Sequence, residues 1–185
     1  KTKITIGLIL LNLYSVKSQD IISHDAPEET QERIFQISVV PGFGMSDGPD
    51  EKYINKISFN VFAGYEYGFE GLELGGFYNI NKSNIKGAQL SGFGNTVVGN
   101  VNGFQAAGFA NTVKGKVIGT QMAGFTNIVS NDIKATQLSG FSNIVKGNVQ
   151  GAQLTGFVNV TTQSTSGTQL AGFVNVSKEI KGTQV

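Results

Sequence analysis

The unit Gly-x-Gln-x-x-Gly-Phe-x-Asn returns every sixteen residues, first as GAQLSGFGNTVVGNVN from Gly87, then as GFQAAGFANTVKGKVI and GTQMAGFTNIVSNDIK. Phenylalanines recur at 77, 93, 109, 125, 141, 157 and 173, each preceded by Gly and followed two residues later by Asn. Gln stands four residues before the Phe at 89, 105, 121, 137, 153 and 169, and again at 184; only the first repeat departs, with Glu73. A fixed period of this length means a stack of near-identical units, each resting on its neighbours.

Sixteen residues limit what the unit can be. There is no 3.6-residue apolar period, and Gly and Asn are poor helix formers, so helical repeats fail. Two strands of five or six residues with two tight turns fit well. The small-Gly pair before Phe makes one corner, and segments such as VKGKV and VSNDI make the other. Stacked coils place identical residues about 4.8 Å apart, so seven coils span roughly 34 Å. The expected fold is all-β, a two-sheeted β-solenoid with sixteen residues per coil. The alternative is an array of antiparallel β-hairpins, because VKGKV and VVGNV also resemble three-residue hairpin loops with Gly.

Stacking assigns roles to the columns. A buried amide is costly unless its donor and acceptor are both met. In a ladder each Gln or Asn bonds its copies above and below, so both columns are expected to face inward. Glu73 is expected where the Gln ladder ends. The Phe column is expected to form the core. One coil holds too few large apolar side chains to offset the ordering of sixteen residues, so each copy must template the next.

The rest of the chain divides around the array. Lys1 and Lys3 precede an apolar run, Ile4–Leu13, too short to span a bilayer, and VKS offers Val16 and Ser18 to a signal peptidase. Residues 1–18 therefore read as a signal peptide, and residues 19–34 as an acidic flexible lead-in. Residues 35–70 read as strands capping the array: FQISVV, then ISFNVFAGYEYGFE, whose period of two over Ile57–Glu70 reads as one long strand with Ile57, Phe59 and Val61 on one face. Residues 71–185 are the repeat array, which stops in mid-repeat.

Charge and composition exclude more than they suggest. Eight of the thirteen acids lie between Asp20 and Glu51; from Leu74 onward Asp132 and Glu179 face eight lysines, leaving the array at +6. Those lysines are spread along the array without Arg, which reads as a solvated surface and gives no nucleic-acid footprint. No Cys is present, and the only His, His24, lies in the lead-in, so thiol, triad and metal constellations lack their members. No catalytic, cofactor-binding or metal residues are expected. Thr120, Thr136, Thr168 and Thr183 hint at an ice-binding array, but Ala88, Phe104 and Ala152 interrupt it.

The stretch ISFNVFAGYEYGFEGLELGGFYNI followed by serial GxQLxGFxN units resembles the surface-repeat proteins of Bacteroidota and spirochaetes. The resemblance runs from about Ile57 to the end. It implies export to the envelope and a repeat β fold, and brings no catalytic residue. The functional expectation is a non-enzymatic scaffold in the periplasm, at the outer membrane or on the cell surface. It would bind an envelope protein or glycan and self-associate through its C-terminal ladder edge. The alternative is a membrane-associated outer-membrane β-barrel or pore-associated protein.

Overall fold

A computed structural model of the chain describes residues 30–41, 43–44 and 52–185. The expected signal peptide and His24 lie outside the described residues. β1 (Gln31–Val40) is followed by β2 (Phe43–Gly44), β3 (Tyr53–Asn60), β4 (Ala63–Glu66) and β5 (Gly68–Gly75). Short and long strands then alternate: β6 (Tyr78–Asn81), β7 (Ile85–Ser91), β8 (Gly94–Val97), β9 (Val101–Ala107), β10 (Ala110–Val113), β11 (Val117–Ala123), β12 (Thr126–Val129), β13 (Ile133–Ser139), β14 (Ser142–Val145) and β15 (Val149–Thr155). β16 (Val158–Ala171) and β17 (Val174–Gln184) each run through a short and a long strand without a break.

Apart from β2, which lies antiparallel to the end of β1, long strands pair with long and short with short, in parallel and at a register of one coil: Gln121 lies beside Gln105 and Gln137, and Asn127 beside Asn111 and Asn143. The chain is a two-ladder β-solenoid of sixteen-residue coils, and the hairpin array is excluded. The corner before each Phe needs Gly because backbones stack closely there: a Cβ on Gly124 would lie 2.0 Å from the Gly108 carbonyl oxygen. At the other corner, side-chain carbonyls stitch the turns together. Asn100 Oδ1 accepts from the Lys116 N–H at 2.8 Å, and Asp132 Oδ1 from the Asn148 N–H at 2.9 Å.

Four columns fill the interior. Val97, Val113, Val129 and Val145 of the short strands cluster with Val101, Val117, Ile133 and Val149 of the long ones. Beside them run the amides as the ladder argument requires, with the Gln column from Gln89 to Gln169 and the Asn column from Asn79 to Asn159 fully buried at every coil. Gln121 Nε2 donates to Gln105 Oε1 at 2.7 Å, and so along the column. Asn127 Nδ2 donates both to Asn143 Oδ1 at 2.9 Å and to the Leu138 carbonyl at 2.8 Å, so each Asn also ties the short ladder to the long one.

Three expectations are corrected. The Phe column is outside: Phe93, Phe109, Phe125, Phe141 and Phe157 are about two-fifths exposed. The stretch Ile57–Glu70 is not one strand; it bends at Val61–Phe62 and again at Tyr67, becoming parts of β3, β4 and β5. As far as Glu66 its polar side is the buried one, with Ser58, Asn60 and Glu66 inside while Ile57, Phe59 and Val61 are exposed; after the second bend Phe69 is buried and Glu70 exposed. The interior path of the coil is set by the hydrogen-bonding columns, so Ser58 continues the Gln column and Phe59 is forced out. Glu73, finally, takes the last bond of the Gln column, from Gln89, but the strand ladder does not end with it. It pairs with Ser58 on one side and Gln89 on the other, and Ser58 pairs on to Gln36. The strands before residue 71 are thus coils of the same solenoid, beginning at Gln31 inside the stretch expected as lead-in.

Candidate interaction surface

Sending Phe and Leu outward gives the solenoid a cross-section with an apolar outside corner. One register line joins Ile37, Phe59, Leu74, Leu90, Ala106 and Met122, and continues through Leu138 and Leu154 to Leu170. Across the Gly corner lies the Phe column, started by Phe62, whose carbonyl accepts from the Phe77 N–H at 3.0 Å. Residues 87–97, 103–113, 119–129, 135–145, 151–161 and 167–177, eleven of each sixteen, contain no ionisable residue. The charges sit on the opposite turn and its flanks, at the exposed Lys114, Lys116, Lys134 and Lys146 and the half-buried Asp132.

The Phe rings form a continuous stack. From Phe77 to Phe173, successive centroids are 4.8–4.9 Å apart with interplanar angles of 0–13°. Each interior ring therefore has both faces covered by its neighbours and presents only its edge. Beside the stack an open groove of about 760 Å³ follows the axis, walled by Leu90, Met122, Leu138, Leu154 and Leu170 and floored by Ala107, Ala123 and Gly124. The Thr residues that hinted at an ice-binding array share one register line with Ala88, Phe104 and Ala152.

At the other pole of the coil stack, two carboxyl groups are buried. Glu73 accepts from Gln89 Nε2 at 2.7 Å and Asn60 Nδ2 at 3.0 Å. Glu66 accepts from Asn55 Nδ2 at 2.8 Å, from the Ser58 hydroxyl, and from Asn60 Nδ2 at 3.3 Å. Burial, and after it the charge of Glu66, holds the Glu73 carboxyl well above the usual range; donors from Gln89, Asn81 and Asn60 pull the other way. Burial also raises Glu66, against its bonds to Ser58, Asn55 and Asn60 and the charge of Arg33. A carboxyl group has nearly the shape of a carboxamide, so Glu73 fits the Gln column and accepts from Gln89.

Among the described residues no group of three or more His, Cys, Asp or Glu side chains could hold a metal ion, and no helix is long and apolar enough to cross a membrane. Sequence reasoning located the amide columns but missed the outer apolar face and the paired acids. The signal for the face was present, in the absence of charge from eleven of every sixteen residues. No family model, no curated protein and no solved structure matches this chain.

Proposed function

We propose that this chain is a non-enzymatic, exported envelope or cell-surface repeat scaffold that docks a protein partner on its Leu/Phe corner. The observation that carries the reading is that corner: an uncharged apolar strip, continuous along the described coils and larger than the patches that monomers ordinarily leave exposed. Export rests on Lys1, Lys3 and the apolar run Ile4–Leu13. Membership of the surface-repeat proteins of Bacteroidota and spirochaetes belongs to the same proposal.

A protein partner is favoured over a glycan. Sugars pack on the open faces of aromatic rings, and here the interior faces are occupied by neighbouring rings. The barrel reading is set aside, because the array's strands are parallel and mostly four or seven residues long, whereas barrel strands that span a membrane are antiparallel and about nine to eleven.

A photoreactive phenylalanine analogue placed at Phe109 or Phe141, and in separate chains at Lys114 or Lys146, tests the docking face in cells of the host. The reading expects protein adducts from the Phe positions and few from the Lys positions. Adducts from the turns alone, or none from the Phe column, contradict it.

A further inference from the structure

We infer that the partner on the Leu/Phe corner is a second copy of this chain, packed corner to corner as a closed two-fold pair; this rests on the docking reading above. Three properties of the surface point to it. The first is period. The Phe stack places a rib every 4.8–4.9 Å over six steps, about 29 Å in all. A partner engaging the whole length must carry knobs at that spacing. An α-helix repeats its rows about every 5.4 Å and slips by about 3 Å over six steps, more than half a rib. A stacked parallel ladder matches without drift, and this chain is one.

The second is area. With about two-fifths of each interior ring exposed, roughly 80 Å² per Phe of ~200 Å² remains in water. Together with the Leu/Met column the strip comes to on the order of 1,000 Å², enough for the ~800 Å² that each partner gives to a standard stable interface.

The third is charge. The array carries +6 from Leu74 onward, so most contacts between two copies would be repulsive. Lys114, Lys116 and Lys146 lie on the turn away from the Phe corner, and the segments that form the corner carry no charge. Corner-to-corner packing is the arrangement that buries the apolar strip and keeps the lysines apart. In an isologous pair the groove beside each stack lies opposite the other copy's ribs.

Sedimentation velocity on the full chain from 0.5 to 50 µM, with Met122→Glu/Phe125→Glu, Leu138→Ser/Phe141→Ser and Lys114→Glu/Lys116→Glu variants, tests this. The inference expects concentration-dependent formation of a species of twice the chain mass. Both corner variants should weaken it at least 100-fold while the far-UV circular dichroism stays that of the wild type, and the Lys variant should leave it within threefold. The Leu138→Ser/Phe141→Ser chain adds no charge, so it reports even where the Glu pair unfolds. A wild-type chain that stays monomeric at 50 µM, or a pair that survives both corner variants, overturns the second copy. A monomer that instead floats with phosphatidylglycerol vesicles through Phe125 overturns it too and assigns the corner to a lipid surface. If the wild type is monomeric while photo-adducts still form from Phe109 to a different protein, the second copy fails and the docking face stands. Loss of both removes the docking face itself.

Discussion

The rings of Phe125 and Phe141 lie parallel, at 0° and 4.8 Å between centroids, with two-fifths of each residue in solvent. Two residues further along the chain Asn127 and Asn143 are fully buried and bonded to one another at 2.9 Å. The largest side chain of the repeat is outside and its polar amide inside. The stability of the coil should therefore follow the amides and the Val columns more than the aromatic column.

Phe125→Ala should cost only about 1–2 kcal/mol, since it removes two ring–ring contacts and a partly buried side chain. Val129→Ala deletes two methyl groups from a fully buried site and should cost on the order of 2–3 kcal/mol, despite the smaller change in volume. Urea unfolding of both variants below the concentration of self-association checks the order. A Phe125→Ala loss of 3–5 kcal/mol, typical of a buried Phe, would put the column in the core after all.

Asn127→Asp should destabilise more than Asn127→Ala. The carboxylate can still accept from Asn111 Nδ2, but it has no hydrogen to give Asn143 Oδ1 or the Leu138 carbonyl, and it is a charge without a cation. Losing the amide alone costs about 1–3 kcal/mol, and an uncompensated buried charge about 3–5. The Asp variant should recover part of its loss at acid pH and the Ala variant should not. Equal, pH-independent losses would contradict the ladder.

The paired acids give the fold a pH dependence of definite sign. Glu73 and Glu66 both have folded-state values raised above those of the unfolded chain, chiefly by burial. Their stabilising contribution is complete below the usual carboxylate range and is lost as pH rises through the folded values. Urea midpoints should accordingly be higher at pH 4.5 than at pH 8 as far as these groups are concerned. Glu73→Gln should raise the pH 8 midpoint and shrink the difference. A variant less stable than wild type at pH 8 would mean that the charged carboxylate is what the site requires.

How much of this could be read from the sequence depends on the kind of signal. The sixteen-residue period identified the solenoid, and hydrogen-bond satisfaction placed Gln121 and Asn127 inside. Hydrophobicity misplaced Phe125 because it sits at a corner, where alternation no longer says which way a side chain points. Alternation put Ile57 and Phe59 on one face, as they are, but it does not say that this face is the outer one. Their strand lies in register with the Gln column, so Ser58 inherits the inward position whatever its neighbours are. Asn60 shows how far tertiary context reaches. Gly64 occupies the Asn register but has no side chain, and Asn60 reaches across from β3 to bond Asn79 at 3.1 Å in its place. A Cβ on Gly64 would stand 1.9 Å from the Asn60 amide nitrogen. The pairing of Glu66 with Glu73 through Asn60 follows from that crossing and has no periodic trace.

The central claim, an apolar corner that is outside the coil and covered by a second copy, is tested most directly by thiol labelling, since the chain has no cysteine of its own. Single cysteines at Phe125 and Val129 report the two sides of the wall. The account predicts that Phe125→Cys reacts rapidly in dilute chain and slows as the concentration rises to tens of micromolar, while Val129→Cys stays protected at every concentration until urea unfolds it. Equal protection of both in dilute chain would put Phe125 inside, and labelling of Phe125→Cys at one rate across the whole concentration range would leave the corner without its second copy.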